Sequence, residues 1–448
     1  MRGRAIPRDY QAAGIEWLKA HKRGLLLDRP GLGKTLQAAY AAEAPVLVVC
    51  PNYLTGQWED WLLGRDDKSL AANNGLVIPN VPGTVVRAKG NYYKKLTALQ
   101  AKADWTIINI EVLQTHWEAL EASDMGLLGY WQTIIFDESH HLRNHDATRS
   151  KTAVNIAKHA PLVYELTATP IWKEADDLYN QLRILHPDMF KSYWKFVDLF
   201  CIADVGRFGT KVLGVKKEMR AELDELLNAV SLRRTYVEAG RELPSLIEKT
   251  IKIEFPDNLR KAYDDCIDGY RMQLEDEEIR FDNFSQVLNA LRQLTSFPGK
   301  IEAVKDLIQN DIPWGRVVVF TWYRDTAEKA ARTLGGAVVT GELKVEERRA
   351  VALDPNNRII CATISALGEG IDLSDARTVV FLEEHWPPGA NDQALSRIQR
   401  ERIGGDNSEP VVVYYVHVKD TIDEVIHNVA QRRSATIKEV IREALGLG

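Results

Sequence analysis

Short apolar runs alternate along this chain with segments whose apolar residues recur at helical spacing. In the first half the runs fall at 24–28, 45–50, 105–110, 133–136 and 162–166, with helix-like stretches such as 36–44 and 150–159 between them. Apolar strands joined by amphipathic helices predict βαβ units and a parallel sheet buried on both faces. The pattern changes at about residue 172. From there to 296 the chain reads as mostly helical and charged, with 217–230 and 258–279 as examples. Strand-like runs resume at 316–320, 337–340, 358–362, 378–382 and 411–416. The expectation is an α/β protein with two parallel-sheet lobes facing a cleft and helical insertions. The first lobe is expected over 1–235, with its insertion at about 172–230. The second is expected over 236–448, with its insertion at about 256–296, and the join falls near 234–244.

Composition narrows the class. Of 448 residues, 45% are hydrophobic and 27% charged, so the chain can bury a sizeable core and disorder is not expected. The net charge of −6 argues against nucleic-acid binding by bulk charge. It leaves room for a local basic groove, because phosphates are held by nearby charge and not by the sum over the chain. Cys50, Cys201, Cys266 and Cys361 have no metal or redox spacing and read as reduced thiols. The N-terminal residues carry no apolar signal core, and no apolar run reaches the ~18 residues of a membrane span. The expectation is therefore a soluble, intracellular, cytoplasmic protein with no membrane partner.

After the run 24–28 comes Arg29-Pro30-Gly31-Leu32-Gly33-Lys34-Thr35, followed by a helix-like stretch. A strand, a glycine turn, Gly-Lys-Thr and a helix make the setting a phosphate-binding P-loop needs. Glycines let backbone N–H groups approach phosphate oxygens, and the helix N-terminus adds partial positive charge. In this reading Lys34 reaches the β- and γ-phosphates of ATP and the Thr35 hydroxyl binds Mg²⁺. The full pattern asks for glycine where Asp28 stands. The bland alternative is a tight turn with an incidental lysine, and the strand before and helix after weigh against it.

A second constellation follows about a hundred residues later, where the run 133–136 ends in Asp137-Glu138-Ser139-His140. Carboxylates at the C-terminal edge of a parallel strand sit where such sheets bind ligands. Asp137 suits a Mg²⁺ ligand and Glu138 the group that orients or deprotonates a water. His140 is then placed to sense the γ-phosphate or the second lobe. Alone, such a quartet is more often a solvated loop; its position after a buried-looking strand and a P-loop reverses that.

These blocks, with those that follow in order, resemble helicase superfamily two, and within it the Swi/Snf-type translocase ATPases. Asp9-Tyr10-Gln11 is similar to the family's adenine-reading motif. The run LLLDRPGLGKTLQA is similar to its DEMGLGKT box, in which aspartate also takes the first-glycine position. VLVVCPNYLTGQWEDWL, DESHHLRN, LTATP and LRRTYVEAGRELP resemble the next blocks, and the last of these is the most specific to Swi/Snf-type chains. LRQLTSFPGK, VVVFTWYRDTAE and the stretch 362–400 resemble the second-lobe motifs. The chain departs from the family where Ile403-Gly404 is followed by Gly405 instead of glutamine, and where Glu401-Arg402 precedes that pair. Its insertions are also compact, and together these features weigh against carrying over nucleosome remodelling.

The resemblance implies two RecA-like lobes, ATP and Mg²⁺ as cofactors, and nucleic acid, above all double-stranded DNA, as partner. It implies nucleotide contacts from Gln11, Gly31, Leu32, Gly33, Lys34, Thr35, Gly370 and Asp372. Gln393, Arg397 and Arg400 stand at i, i+4 and i+7, which on a helix through 391–402 is one face. The resemblance makes Arg397 and Arg400 arginine fingers, for which a planar, permanently charged fork is suited. It makes His140, Thr167, Thr169 and Gln393 coupling residues, and it places Pro51, Asn52, Thr321, Thr363 and Trp386 near nucleic acid. The leading expectation is a minimal, monomeric duplex-DNA translocase, with a targeting protein partner as a further expectation. A strand-separating DNA or RNA helicase and an ATP-gated scaffold are the alternatives.

Overall fold

Runs of β-branched residues without polar alternation can be enclosed on both faces, and the chain uses them that way. The computed structural model describes residues 6–63, 83–117, 121, 128–168, 176–206, 209–276, 281–312, 315–367, 371–385, 389–400 and 409–432. In its first half lie β1 (Arg23–Leu26), β2 (Val46–Cys50), β3 (Val85–Arg87), β4 (Trp105–Asn109), β5 (Thr133–Asp137) and β6 (Leu162–Leu166). A hairpin, β7 (Cys201–Gly206) and β8 (Gly209–Val215), follows, and then the two-residue β9 (Ser231–Leu232). The second half holds β10 (Leu246–Ile253), β11 (Val317–Thr321), β12 (Ala337–Val339), β13 (Ile359–Thr363), β14 (Thr378–Phe381) and β15 (Val411–Val418). Strands β2, β5, β6, β11 and β13 are buried at every position.

The chain divides into two units, Met1–Glu242 and Leu243–Gly448. The first contains a seven-stranded sheet in the order β3-β4-β2-β5-β6-β1-β9, and the second a six-stranded sheet in the order β10-β15-β14-β11-β13-β12. Among the described residues every pairing within both sheets is parallel, and only β7–β8 is antiparallel. Alternate side chains supply opposite faces. In the first sheet Leu25, Leu47, Ile134 and Phe136 pack in one core and Leu26, Val46, Val48 and Ile135 in the other. In the second, Val318, Phe320 and Ile360 oppose Val317, Val319 and Cys361. Cys50, Cys201 and Cys361 are buried, Cys266 is half-buried, and all four are free thiols. Among the described residues no helix is long and apolar enough to cross a membrane.

The stretch expected to be mostly helical also carries β7–β10. β10 escapes the apolar-run pattern because it is an edge strand, mostly exposed or half-exposed, with charged residues set among its apolar ones. β9 is too short to show any period, and its pairing with β1 alone makes it a strand.

Candidate active site

β1 leads into the glycine loop, and the helix Lys34–Ala41 leaves it. Gly31 and Gly33 take the left-handed conformation, with φ of 79° and 77°. At Gly33 the left-handed backbone favours glycine, and a Cβ there would stand 2.4 Å from Gln11 Nε2, so that amide would have to shift. Gln11 is buried against the loop; its Nε2 donates to the Leu32 carbonyl at 3.3 Å and its Oε1 accepts from Arg8 N–H at 3.0 Å. Lys34 Nζ donates to the Asp28 carbonyl at 2.7 Å, which draws the ammonium over its own loop.

Asp28, which stands where a generic P-loop has glycine, is fully buried and holds the loop from beneath. Arg234, 206 residues later, grips it with Nε on Oδ1 at 3.0 Å and Nη2 on Oδ2 at 2.6 Å. The same guanidinium donates to Gln37 Oε1 at 2.5 Å and to the Tyr10 carbonyl, while Gln37 Nε2 donates to Asp28 Oδ2 at 3.0 Å. A planar fork with several donors suits this bidentate bond. Neighbouring groups follow the same path: Leu27 N–H donates to Leu232 O at 2.8 Å, and the Tyr236 side-chain hydroxyl donates to Pro30 O at 2.8 Å. The last segment of the first unit thus braces its glycine loop. Burial raises the Tyr10 phenol, with Arg241 beside it opposing the shift.

β5 lies one strand away from β1, across β6, and ends at Asp137. The indole Nε1 of Trp58 donates to Asp137 Oδ2 at 2.9 Å, and Glu138 N–H donates to Oδ1 at 2.9 Å. Burial and the neighbouring Glu138 push the Asp137 carboxyl up to about 7. Lys34 is close enough to oppose that rise, which places the lysine by this carboxylate. Glu138 sits at φ 50° and ψ 49°, a conformation non-glycine residues rarely adopt. His140 Nδ1 lies 3.2 Å from Glu138 Oε2 and 3.2 Å from Thr167 Oγ1. His140 and Thr167 are therefore brought together; Thr169 lies outside the described residues.

In the second unit Asp372 and Arg400 meet each other, with Arg400 Nη1 3.3 Å from Asp372 Oδ2. Gly370 lies outside the described residues. The helix expected through 391–402 is shorter: it spans Gly389–Leu395, so Gln393 is helical while Arg397 and Arg400 follow its end. Tight turns replace it, with Arg397 N–H on Ala394 O, and the Arg397 carbonyl accepts from Leu373 N–H at 2.9 Å. A single helical face therefore does not carry all three residues; turns set the Arg397 and Arg400 backbone, and the Asp372 bond sets the Arg400 guanidinium.

Among the loops expected near nucleic acid, Pro51 and Asn52 open the helix Asn52–Leu62 at the end of β2, with Asn52 exposed. Thr321 is fully buried and its hydroxyl donates to Tyr323 O at 3.0 Å; Thr363 is also buried. Their side chains are turned inward, so a ligand at these strand ends meets backbone or neighbours such as exposed Arg324. Trp386 lies outside the described residues.

Three features of the site were missed in the sequence: Trp58, Gln37 and the Arg234–Asp28 bond. Gln57-Trp58 was visible as a block, but nothing local links an indole to a carboxylate 79 positions away.

Comparison with known proteins shows the family to which the chain belongs. Residues 10–298 match the SNF2-related domain and residues 299–402 the helicase conserved C-terminal domain. The chain is 27% identical to the Caenorhabditis elegans homolog of SWI/SNF-related matrix-associated actin-dependent regulator of chromatin subfamily A-like protein 1, over 96% of this chain and 61% of that protein. It is 25% identical to the mouse (Mus musculus) DNA annealing helicase and endonuclease ZRANB3, over 97% of this chain and 40% of that protein. An uncharacterized ATP-dependent helicase of Mycoplasma pneumoniae is 24% identical, over 97% of this chain and 42% of that one. The chain thus spans less than two thirds of the length of each of these relatives. The Sulfolobus solfataricus SWI2/SNF2 ATPase core in complex with dsDNA aligns over 99% of this chain and 97% of that one, with a TM-score of 0.45 and 20% identity.

Proposed function

The chain belongs to the SNF2-related family of helicase superfamily two, and from that premise we propose that it hydrolyses ATP to move along double-stranded DNA. The observation that carries this reading is the grouping of Lys34, Asp137 and Glu138 at the C-terminal ends of parallel strands, where such sheets bind ligands. Duplex DNA is the proposed track because relatives are named for a chromatin regulator and a DNA annealing helicase.

Gly31, Leu32 and Gly33 offer backbone N–H groups to the phosphates, and Lys34 exchanges the Asp28 carbonyl for phosphate oxygens. Gln11, already fixed against the loop, reads the adenine. The site suits Mg²⁺: the Thr35 hydroxyl and the Asp137 carboxylate are hard oxygen donors, and a buried carboxyl raised to about 7 gains from a cation beside it. When bound, Mg²⁺ supplies charge neutralisation at the phosphate oxygens. Glu138 orients the attacking water and accepts its proton. His140, in short contact with both Glu138 and Thr167, relays the nucleotide state together with Thr167, with Thr169 and Gln393 in the same role. Arg397 and Arg400 offer guanidiniums to the transferring phosphoryl group, and Gly370 and Asp372 serve the nucleotide alongside them. Pro51, Asn52, Thr321, Thr363 and Trp386 mark the loops that hold the DNA backbone.

The test is the steady-state ATPase rate with no nucleic acid, duplex DNA, single-stranded DNA and RNA, beside Glu138→Gln. Stimulation by duplex DNA that vanishes in the variant supports the proposal. Stimulation by single strands or RNA alone replaces it with an unwinding helicase, and no stimulation by any of them refutes a nucleic-acid motor.

A further inference from the structure

Far along the chain from the nucleotide loop, in the second unit, Glu384, His417 and His427 turn their ligating atoms toward one point. Glu384 follows β14, His417 belongs to β15 and His427 to the helix Ile422–Arg432. His417 Nε2 lies 3.1 Å and His427 Nδ1 3.0 Å from the same oxygen, Glu384 Oε2. All three ligating atoms fall within 4.8 Å of one another. Glu384 and His417 are almost fully enclosed, with side-chain exposures of 7% and 5%, and His427 stands at 19% on the open side.

We propose that Glu384, His417 and His427 form a binding site for a divalent transition-metal ion of the zinc class, with a fourth position left to water. The donor set is two imidazoles and one carboxylate, which zinc-class ions take and Mg²⁺ does not favour. Tetrahedral zinc with bonds of ~2.0–2.2 Å holds neighbouring ligand atoms about 3.3 Å apart. The two observed nitrogen–oxygen separations are therefore within a few tenths of an ångström of a coordination edge.

Charge points the same way. Among the described residues, the carboxylates Glu248, Glu383, Glu384, Asp423 and Glu424 lie around the cluster, and the cations facing them are Arg292, Lys300 and Lys252, the last held by Glu424. Lys300 is taken by Asp423 at 2.6 Å, and Arg292 Nη2 donates to the Glu384 backbone carbonyl. The side-chain hydrogen bonds of the Glu384 carboxylate go to the two imidazoles, and a divalent cation between them would offset the carboxylates gathered there. Each protein ligand comes from a different element, so the ion would tie the end of β14 and the last described helix to β15.

The experiment titrates Co²⁺ into the whole chain in excess Mg²⁺, which occupies oxygen-only sites, and follows visible absorption. The expected result is one equivalent of Co²⁺ bound with the intense bands of a four-coordinate ion, bleached by Zn²⁺ and lost in Glu384→Gln and in His427→Gln. His21→Gln, at an exposed histidine of the first unit, keeps the bands. A rise in melting temperature with Zn²⁺ that is present in the wild type and absent in His427→Gln separates ligand loss from misfolding, since both proteins must melt cooperatively to be compared. No bands and no melting shift at saturating metal overturn the proposal and leave a metal-free histidine–carboxylate cluster. Bands that persist in both ligand variants overturn it as well.

Discussion

Replacing Arg234 by alanine removes the brace beneath the glycine loop. Asp28 is fully buried and Arg234 is 11% exposed, so the variant strands a carboxylate with one remaining side-chain donor, Gln37 Nε2 at 3.0 Å. Two bonds to Asp28, one to Gln37 and one to the Tyr10 carbonyl are lost together. Breaking a buried pair by deleting one partner costs about 3–5 kcal/mol, most of it from the charge left behind. Arg234→Lys keeps the charge and loses the fork, so its cost falls between wild type and alanine. Asp28→Asn combined with Arg234→Ala costs less than the sum of the single changes, with a coupling of about 0.5–3 kcal/mol. Urea unfolding followed by tryptophan fluorescence reads the correct unit, because of eleven tryptophans only Trp314, Trp322 and Trp386 belong to the second. The unfolding of the two units is analysed as separate transitions. A loss below about 1 kcal/mol for Arg234→Ala refutes the idea that this bond holds the loop, because a broken buried pair costs several times that.

Other consequences are equally open to measurement. Lys34→Ala lowers ATP turnover by orders of magnitude while leaving the melting temperature near wild type, since the side chain is only half-buried and its bond to the Asp28 carbonyl lies within its own loop; retained turnover contradicts the phosphate assignment. Trp58→Phe takes a donor from Asp137, whose carboxyl already sits at about 7, so the Mg²⁺ needed for half-maximal ATPase at neutral pH rises about tenfold or more; an unchanged Mg²⁺ dependence counts against it. Glu165 is fully buried on β6, and burial raises its carboxyl well above the usual range, with Ser139 and Arg23 opposing. A raised carboxyl keeps its stability below its unfolded value near 4.5 and loses it as pH climbs toward the folded value, by about 1.4 kcal/mol for each pH unit climbed between the two. Glu165→Gln therefore gains melting temperature relative to wild type more at pH 8 than at pH 5, and an equal difference at both refutes the burial argument.

How much was legible in the chain depended on the range of the interaction. Strand runs such as Val46–Cys50 and Ile359–Thr363 were readable because a buried parallel strand needs only its own apolar side chains to declare itself. The loop Gly31–Lys34 and the quartet beginning at Asp137 were readable because their chemistry is carried by consecutive residues. Edge strand β10 and the helix end at Leu395 were not, because solvent on one side and a captured Arg397 carbonyl are facts about neighbours distant in sequence. The sequence by itself determined that two parallel sheets would form and where the glycine loop and the Asp137 quartet stand in the chain. The tertiary structure alone decided that Arg234 holds Asp28, that Trp58 holds Asp137 and that Glu384, His417 and His427 converge. A side-chain bond across 206 positions leaves no periodic trace, since its partners meet only after each sheet has placed them.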